Sequence, residues 1–287
     1  MMKKTEEQVK WVTGVSPVTV VMISLNEAHN MHRVLNNLSG WAKDIYLIDS
    51  FSTDATVSIA KSYGVNVIQR AFKGFGDQWN FALSCVPESS EWTMKIDPDE
   101  TLDKELKSSI SIATLKNDVN GIVVERRLRF MTKTLPVSHN ILRIWRTGIC
   151  EFTDVLVNEH PIVDGLKVKV SGILDHYDSP NIHHWLAKQN QYTSAEARAQ
   201  NDGLALGVEP NLFGDSLARR MWIKKYFWKF PGRFVMLYLY HLLWLGSWRA
   251  GHVGFIWAHL RTEVYRIWEI KAIELKLEGD GPPENGK

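Results

Sequence analysis

Val18–Leu25 reads VTVVMISL, a short and nearly continuous apolar run. A run of this kind is typical of a strand that is buried on both faces of a parallel sheet. The same signal recurs three more times within the first 130 residues, at Asp44–Asp49 (DIYLID), Val65–Arg70 (VNVIQR) and Trp92–Asp97 (WTMKID). The sequence therefore predicts a set of strands that share one sheet.

Helix-like stretches lie between these runs, at His29–Leu38 and at Asp54–Tyr63, and Gly64 supplies a C-cap for the second of them. Strands that alternate with helices favour right-handed βαβ units. We therefore expect an α/β fold with a mostly parallel sheet flanked by helices.

The remainder of the body is predicted from shorter signals. Gly121–Phe130 and Asn140–Trp145 are expected to be strands, with a loop at Leu135–His139 around its proline. Residues 175–201 are polar with helical spacing, and a loop rich in Gly, Pro and Asn, at Gly203–Gly214, separates them from the C-terminal segment.

The composition is that of an ordinary globular protein. The chain has 287 residues, of which 45% are apolar and 23% are charged, so a disordered, collagen-like or disulfide-scaffold chain is excluded. The two cysteines, Cys85 and Cys150, are too few for a disulfide framework or a cysteine-rich zinc site, and a reducing compartment is expected. The stretch MMKKTEEQVKWV has no apolar core, which does not fit a secretory signal.

Charge is distributed unevenly along the chain. Residues 1–218 contain 22 Lys and Arg against 26 Asp and Glu, whereas residues 219–276 contain 11 against 3. Six of the twelve tryptophans lie from Trp222 onward. An acidic body followed by a basic, tryptophan-rich segment favours contact with an anionic surface. Nucleic acid is not expected as a partner, because the basic segment is also the most apolar one.

The C-terminal segment is predicted to form an amphipathic helical appendage at residues 216–277, followed by a flexible tail at 278–287. On a helix, Arg219–Phe230 places its aromatic residues on one face and most of its basic residues off that face. Phe234–Trp248 and Val253–Leu260 are apolar but shorter than the ~20 residues of a membrane span. These helices either pack on the body or on a second subunit, or lie in the membrane interface; we favour the interface.

Met94–Glu100 (MKIDPDE) carries the most informative side chains. In this stretch Asp97 and Asp99 lie at the C-terminal end of a predicted strand, with Pro98 between them. Ligands of open α/β sheets bind outside this end of the strands. Two carboxylates at this spacing can hold a hard cation, which in turn can bind a diphosphate. A loop of solvated acids is the alternative, and the position at a strand end favours the binding site.

Two other predicted strands also end in polar residues. Asp49–Asp54 (DSFSTD) follows the second strand, where Asp49 is suited to accept hydrogen bonds from a nucleobase or ribose. Ser52–Asp54 also fit the N-terminus of the next helix. Ser24–Glu27 ends the first strand in the same way. Three strand ends therefore place polar or acidic groups on one edge of the sheet.

At these residues the sequence resembles glycosyltransferase family 2, in particular the branch that contains lipopolysaccharide-core β-1,4-glucosyltransferases. Four segments carry the resemblance in the expected order: Asn26–Asn30 (NEAHN), Asp49–Asp54 (DSFSTD), Gly74–Ala82 (GFGDQWNFA) and Asp97–Glu100 (DPDE). Three shorter segments follow: Leu142–Arg146, Val157–Glu159 and Asp175–Tyr177. The ordered matches span about residues 18–270.

The resemblance implies a GT-A fold over residues 1–215, with a donor-binding half at about 16–130 and an acceptor half at about 131–215. It implies an enzyme that transfers a sugar, with inversion, from a nucleotide-sugar, by analogy a UDP-sugar. The acceptor would be a hydroxyl of a saccharide or a lipid-linked glycan such as lipopolysaccharide core. With a lipid-linked acceptor, we expect a cytoplasmic protein that binds peripherally to the inner face of the cytoplasmic membrane.

The resemblance also implies roles for single residues. Contacts with the nucleotide-sugar are assigned to Asn26, Glu27, Asp49, Ser52, Asp54, Lys73, Gln78, Asn80 and Asp97. Asp97 and Asp99 would hold Mg²⁺ or Mn²⁺ on the diphosphate, with His176 as a further ligand. The cation would stabilise the charge of the leaving group, which makes Asp99 catalytic. A surface position is the alternative for Lys73 and Gln78.

Inversion requires a base that takes the proton of the acceptor hydroxyl. Glu159 is the predicted base because it follows an apolar, strand-like run, and Asp154 and Glu100 are the reserve candidates. A surface glutamate near Pro161 is the alternative for Glu159.

Three residues depart from the pattern of the branch. Phe51 stands where glycine is usual, Pro98 where a small residue is usual, and Asn158 where histidine is common. The predicted metal carboxylates survive these changes, but the donor sugar need not be glucose.

Two other classes of protein also fit parts of the sequence. Asp97–Thr101 matches the D-x-D-x-T pattern of haloacid-dehalogenase-like phosphatases, although that resemblance would place the motif on the first strand, and here about three strand units precede it. A non-catalytic, peripheral membrane adaptor would bind liposomes without turning over a nucleotide-sugar. The sequence leaves oligomerisation open.

Overall fold

The computed structural model describes residues 13–153, 160–201, 211, 213, 222, 226 and 230–279. These residues divide into two compact units. The first comprises the chain up to Arg129 together with Ser138–Asp178, and the second comprises Phe130–Val137 and the chain from Ser179 onward.

The strands are β1 (Val18–Ser24), β2 (Asp44–Asp49), β3 (Asn66–Gln69), β4 (Trp92–Lys95), β5 (Glu100–Leu102), β6 (Val119–Phe130), β7 (Lys133–Arg146), β8 (Cys150–Phe152), β9 (Pro161–Val163) and β10 (Leu166–Tyr177). The helices are α1 (Ala28–Leu38), α2 (Thr56–Ser62), α3 (Phe75–Ser84), α4 (Lys104–Ala113), α5 (Ile182–Asn201), α6 (Arg233–Leu239) and α7 (His252–Gly279). A π-helical turn at Tyr240–Trp244 and a 3₁₀ turn at Ser247–Ala250 connect α6 and α7.

Within the described residues, eight strands form one sheet in the order β3-β2-β1-β4-β7-β6-β10-β5. Strands β3, β2, β1 and β4 are parallel to one another, whereas β7 is antiparallel to β4 and β5 is antiparallel to β10. The α/β class is confirmed: four parallel strands form the half of the sheet that the sequence predicted most clearly, and β6 and β10 form a further parallel pair in the other half.

Strand β1 shows why its sequence is a continuous apolar run. Val20 and Met22 pack into one hydrophobic core together with Leu35 of α1. Val21 points to the opposite face and packs into a second core that contains Trp79 of α3. The strand is therefore buried on both faces, as its composition predicted.

The predicted loop at Leu135–His139 is wrong, because these residues belong to the long strand β7. Leu135 and Val137 are buried and Pro136 between them is exposed, which is the alternation of a strand. Proline is tolerated here because β4 pairs with β7 only at residues 144–146, so the ladder on that side does not reach Pro136.

Helix α5 packs along α7 in the second unit. Ala197 of α5 lies in a small core with Trp268 and Ala272 of α7. The Nζ atom of Lys271 donates hydrogen bonds to the carbonyl oxygen of Asn190 at 2.8 Å and to its Oδ1 atom at 2.6 Å. By its contacts α5 therefore groups with the C-terminal helices in the second unit. The predicted boundary near residue 215 between a catalytic domain and an appendage stays a prediction.

The C-terminal segment is helical where the structure describes it. The predicted helix at Arg219–Phe230 and the predicted tail at 278–287 lie mostly outside the described residues. Gly232 has a φ of 67°, and α6 begins directly after it. In the part of the chain that the structure describes, no helix combines the length and the apolarity that crossing a membrane requires.

Candidate active site at the carboxyl edge of the sheet

The carboxyl ends of four strands lie along one edge of the sheet. Ser24 at the end of β1 is opposite Asp49 at the end of β2, and Asp49 is opposite Gln69 at the end of β3. Strand β4 runs parallel to β1 on its other side. The residues that follow these strands therefore meet at one edge, which is the usual ligand position in open α/β sheets.

Asp49 is sealed beneath this edge. Its Oδ1 atom accepts hydrogen bonds from the hydroxyls of Ser24 (2.9 Å) and Ser52. Its Oδ2 atom accepts from the backbone N–H of Ser52 (2.8 Å) and from Nε2 of Gln69 (3.1 Å). An ionised carboxylate offers about four lone-pair sites, so protein donors fill all of them. Asp49 thus joins the ends of β1, β2 and β3, and its contact with a nucleoside stays a prediction.

Asn26, Ser52 and Asp54 fasten the loops after β1 and β2 to each other. The N–H of Asn26 donates to the Ser52 hydroxyl at 2.8 Å. Asp54 accepts from the N–H groups of Ala28 (3.1 Å) and Thr56 (2.9 Å), the first residues of α1 and α2. Burial alone would raise the pKa of Asp54, but the hydrogen bond from the Thr56 hydroxyl, together with these two backbone hydrogen bonds, holds it below its usual value. Direct contacts of these three side chains with a ligand stay predictions.

Glu27 and Gln78 lie close to the same loops. The Glu27 carboxylate accepts a hydrogen bond from Nδ2 of Asn30 at 2.7 Å. Gln78 is buried, accepts from the Arg70 guanidinium at 3.0 Å and donates to the Ser50 hydroxyl at 3.2 Å. Gln78 therefore stabilises the loop after β2 through Ser50. The alternative interpretation of Gln78 as an exposed residue on a helix surface is wrong, because its side chain is buried.

Asn80 and Lys73 do not join this group of side chains. The Asn80 amide donates to the carbonyl oxygen of Phe152 (2.9 Å) and accepts from the N–H of the same residue (2.8 Å). Asn80 therefore joins α3 to β8, and its contact with the donor stays a prediction. Lys73 lies exposed in the loop before α3, and its contact with a phosphate stays a prediction.

The segment Asp97–Glu100 forms a tight turn that a buried arginine holds. The Arg143 guanidinium donates to Asp97 Oδ2 at 2.8 Å and to Glu100 Oε1 at 2.5 Å. The N–H of Asp97 donates to Glu100 Oε2 at 3.1 Å. Burial alone would raise the pKa of Asp97, but the charges of Arg143 and Lys95 keep it below its usual value. Asp97 is therefore ionised at neutral pH.

Glu100 is wrong as a reserve candidate for the catalytic base. Its side chain has no exposed surface, and besides Arg143 it lies 3.5 Å from the guanidinium of Arg126. A carboxylate enclosed by two arginines cannot reach an acceptor hydroxyl. Glu159 and Asp154 lie outside the described residues, so the assignment of the base stays a prediction.

His176 lies beside Asp99, and its predicted role as a further metal ligand stays a prediction. Strands β5 and β10 pair antiparallel with Glu100 opposite His176, which carries the histidine to the acidic turn. Nε2 of His176 is 3.2 Å from Asp99 Oδ2. Burial lowers the pKa of His176, but the carboxylate of Asp99 outweighs this effect and raises the pKa above its usual value.

Several arginines around the acidic turn were not singled out from the sequence. The guanidinium of Arg33 stacks on the ring of Tyr177 at 4.0 Å from its centroid, and Arg129 lies 5.1 Å from the same centroid. Arg127 pairs with Asp175 at 3.0 Å. The sequence did contain a signal for them. The predicted strand Gly121–Phe130 has three arginines, and charges inside a sheet rarely stay unpaired, so carboxylate or aromatic partners could have been expected nearby.

The acidic turn fits a cation that shares its ligands with a substrate. Among the described residues, no three His, Cys, Asp or Glu side chains form a group that would hold a metal ion. Mg²⁺ in phosphate-transferring sites is commonly held by one or two carboxylates together with substrate phosphates and water. Asp97, whose side chain keeps 30% exposure, and Asp99, with 11%, match that ligand set.

Comparison with known proteins identifies the family. The sequence profile described as "Glycosyl transferase family 2" matches residues 19–163, from the second residue of β1 to the end of β9, and this range includes the acidic turn. The chain belongs to glycosyl transferase family 2. This membership supports an enzyme, and it favours sugar transfer over both the phosphatase and the adaptor interpretations.

Similar proteins agree with the glycosyl transferase family 2 assignment. An uncharacterized glycosyltransferase of Rickettsia prowazekii is 27% identical over 198 residues, covering 63% of this chain and 67% of the relative. The lipopolysaccharide core biosynthesis glycosyltransferase LpsC of Rhizobium meliloti is 26% identical over 253 residues, covering 84% and 86%.

Among solved structures, the mannosyltransferase PcManGT from Pyrobaculum calidifontis, in complex with GDP-Man and Mn²⁺, superposes with a TM-score of 0.53. It is 14% identical and the match covers 92% of this chain and 90% of that one. At this identity the likeness concerns the fold alone, and it agrees with the GT-A fold expected for glycosyl transferase family 2.

We predict that Arg143→Met lowers the free energy of unfolding by about 3–5 kcal/mol, because it leaves Glu100 as a buried charge without its main partner. Urea unfolding measures the change. Arg146→Met is the matched control. Arg146 lies on the same strand, donates to the backbone carbonyls of Lys116 at 2.8 Å and Val119 at 3.3 Å and stacks on the ring of Trp92, and no carboxylate among the described residues pairs with it. The control should lose only about 1 kcal/mol.

The double variant Arg143→Met/Glu100→Gln removes both charges and should be more stable than the sum of the two single changes predicts, by at least about 1 kcal/mol. Strictly additive losses would show that Arg143 does not stabilise the turn through Glu100.

Proposed function

We propose that the protein is a metal-dependent, inverting glycosyltransferase that transfers a sugar from a UDP-sugar to a hydroxyl group of a lipid-linked saccharide, with a lipopolysaccharide core as the acceptor class. The observation that carries the proposal is the pair Asp97 and Asp99 at the carboxyl edge of the parallel strands, where Arg143 binds Asp97 and His176 lies beside Asp99. The family supplies the reaction class, and this pair supplies the metal dependence.

Asp97 and Asp99 would hold Mg²⁺ or Mn²⁺ against the donor diphosphate. When bound, the cation stabilises the negative charge that develops on the leaving nucleoside diphosphate. Asp97 suits this role because Arg143 and Lys95 keep it ionised. His176 either joins the ligands or orients Asp99 through their 3.2 Å contact.

The other residues at the edge position the donor. Asp49, Ser52 and Asp54 fix the loops after β1 and β2, so that the groups facing the ligand keep one arrangement without rearranging on binding. Glu159 is proposed to take the proton from the acceptor hydroxyl. A single in-line attack by that hydroxyl forms the new glycosidic bond, breaks the bond to the diphosphate and inverts the configuration.

The acceptor class rests on two observations. LpsC of Rhizobium meliloti, which covers most of this chain, is named as a lipopolysaccharide core biosynthesis glycosyltransferase. In addition, the second unit carries an apolar face suited to a lipid surface. We call this face the α6 face; it consists of the exposed side chains of Val235, Met236, Leu239, Tyr240, Leu243 and Trp244.

The α6 face has the features of a helix that lies in a membrane interface. Helix α6 has no buried residue, and Trp244 in the following turn is 82% exposed. The surrounding segment, residues 219–276, has 11 basic residues against 3 acidic ones, which attract anionic headgroups. We place the enzyme at the inner face of the cytoplasmic membrane, where the free thiols of Cys85 and Cys150 also suit a reducing compartment.

We predict that Asp99→Asn lowers transfer from the UDP-sugar by about a thousandfold or more, since a carboxylate that helps to hold the cation contributes several kcal/mol to charge stabilisation. The variant should keep its far-UV circular dichroism and lose Mn²⁺-dependent binding of UDP. Release of the nucleoside diphosphate measures turnover.

Glu105→Gln is the matched control for this change, because Glu105 is an exposed carboxylate on α4 of the same unit. It should transfer at the wild-type rate. Transfer by Asp99→Asn within tenfold of wild type would remove Asp99 from the mechanism.

We predict that Leu243→Glu/Trp244→Glu weakens binding to phosphatidylglycerol vesicles at least tenfold, because each lost apolar side chain contributes about 1.5–3 kcal/mol of burial. Sedimentation with the vesicles measures binding, and phosphatidylcholine vesicles report the part that depends on lipid charge.

Ile112→Glu/Leu115→Glu is the matched control, with two exposed apolar residues of the first unit, one in the last turn of α4 and one just after the helix. It should sediment like the wild type. Equal losses in both variants, or unchanged binding by the α6-face variant, would contradict the membrane assignment.

A further inference from the structure

Three arginines gather around Tyr177 at the ends of β6 and β10. The guanidinium of Arg33 lies over the Tyr177 ring, 4.0 Å from its centroid, and that of Arg129 lies 5.1 Å from the same centroid. Arg127 and Arg129 both pair with Asp175, at 3.0 and 3.4 Å. We call this group the Tyr177 cluster; it consists of Arg33, Arg127, Arg129, Asp175 and Tyr177.

The Tyr177 cluster carries more positive than negative charge. Arg127 and Arg129 share the carboxylate of Asp175. Within the residues that the structure describes, Arg33 forms no ion pair, and its guanidinium donates to the neutral side chain of Asn30. Three guanidiniums with one carboxylate leave two positive charges in excess, and like charges that lie close together repel each other. An anion bound at the cluster would relieve this repulsion.

Strand pairing places the cluster beside the acidic turn. Strands β6 and β10 run parallel, with Arg127 opposite Asp175 and Arg129 opposite Tyr177. The N–H of Tyr177 donates to the carbonyl oxygen of Asp99 at 2.8 Å. Because this hydrogen bond fixes the end of β10 to the turn, the arginines around the ring border the proposed cation site.

The charge of Asp99 does not remove the excess. Burial lowers the pKa of Arg33, and the nearby charges of Tyr177 and Asp99 offset only part of this effect. Under the proposed function the carboxylate of Asp99 is already paired with the cation. The guanidinium of Arg33 therefore still lacks an anionic partner when the donor and the cation are bound.

The guanidiniums of Arg33 and Arg129 also have unused hydrogen-bonding capacity. In the described part of the chain, the Nε atoms of both residues are buried without a hydrogen-bond partner. Such groups are rare in folded proteins, because an unmade hydrogen bond of a buried donor costs free energy. The side chain of Arg129 is 34% exposed and Arg33 is half-buried, so a ligand can reach both guanidiniums.

The chemistry of stacked arginines indicates the class of ligand. A guanidinium is planar and presents its N–H donors along its edge, where they match two oxygens of a phosphate or a carboxylate. Stacking on the ring of Tyr177 restricts the orientation of Arg33 and leaves that edge available to oxygens. The cluster therefore suits a phosphate ester or a carboxylate better than a neutral hydroxyl group.

The order of the strands separates the cluster from the loops that position the donor. Strands β1 and β2 lie on one side of β4, whereas β6 and β10 lie on the other side. The proposed donor extends from the loops after β1 and β2 to the acidic turn. An anion at the cluster therefore lies on the side of the turn from which a second substrate can approach.

We propose that the Tyr177 cluster binds an anionic group, a phosphate ester or a carboxylate, carried by the acceptor saccharide. Arg33 and Arg129 donate to the oxygens of this group, and Arg127 holds Asp175 so that Arg129 keeps its place. Binding of the anionic group positions a hydroxyl of the same saccharide near the acidic turn. This inference rests on the proposed function, and it defines the acceptor as a negatively charged saccharide.

The test measures by calorimetry how the wild type, saturated with UDP and Mg²⁺, binds glucose-6-phosphate, galacturonate and neutral glucose. Hydrogen bonds to charged groups are the strong ones, so at least one of the two anionic sugars should bind about tenfold or more tightly than glucose. The anionic sugar with the larger gain distinguishes a phosphate ester from a carboxylate. Equal affinity for all three sugars would overturn the proposal.

The variant Arg33→Gln/Arg129→Gln should bind the preferred anionic sugar at least about tenfold more weakly, while its affinity for UDP with Mg²⁺ stays within about threefold. Lys169→Gln is the matched control, because Lys169 is an exposed cation on β10 that pairs with Glu125 of β6 at 3.3 Å. The control should bind all three sugars like the wild type.

Two results with a folded double variant would overturn the proposal: an unchanged preference for the anionic sugar, or an equal loss of affinity for UDP, which would assign the arginines to the donor. If the double variant does not fold, the comparison of the three sugars on the wild type still decides. Failure of the wild type to bind UDP with Mg²⁺ would overturn the proposed function and the acceptor assignment with it.

Discussion

The contact of Arg143 with two carboxylates is the interaction on which the site depends. Arg143 lies on β7, antiparallel to β4, and its guanidinium reaches Asp97 and the buried Glu100 at the point where the chain leaves the sheet. Breaking a buried ion pair of this kind is costly, because the remaining charge has no water to solvate it. The antiparallel half of the sheet therefore supplies the positive charge that keeps the acidic turn in place and ionised.

A second polar network performs the same task for the neighbouring strands. The four hydrogen bonds accepted by Asp49 join the loops after β1 and β2 and the end of β3 without any help from a ligand. Fully satisfied buried networks rigidify the groups around them. This rigidity explains why Phe51, in the loop after β2, keeps a left-handed backbone with a φ of 60°.

The sequence was informative where burial decides structure. The apolar run Asp44–Asp49 became β2 with the predicted limits, because period and length alone identify a strand enclosed on both faces. It was less informative about Leu135–His139, where the proline suggested a loop. The strand continues there because β4 pairs with β7 only at residues 144–146 and does not extend to Pro136. Proline lacks the backbone N–H that donates to a neighbouring strand, but this N–H is needed only where a neighbouring strand is paired at that position.

The same limit applies to the candidate site. The order of the acidic segments predicted that Asp97 and Asp99 stand at one edge of the sheet, and the topology agrees. The sequence did not predict that protein donors occupy all the lone-pair sites of Asp49, or that Glu100 is enclosed by arginines, because hydrogen-bond partners from distant segments are set by tertiary packing. The sequence showed Phe51 as a departure from glycine, but it did not show the left-handed backbone of this residue.

The most direct test of the central claim is a crystal structure of the protein grown with Mn²⁺ and UDP, in which anomalous scattering locates the metal. The account predicts one manganese peak within about 2.5 Å of a carboxylate oxygen of Asp97 or Asp99, in contact with the diphosphate of UDP. A manganese ion bound elsewhere, or UDP bound at another surface while Asp97 and Asp99 contact neither, would contradict it.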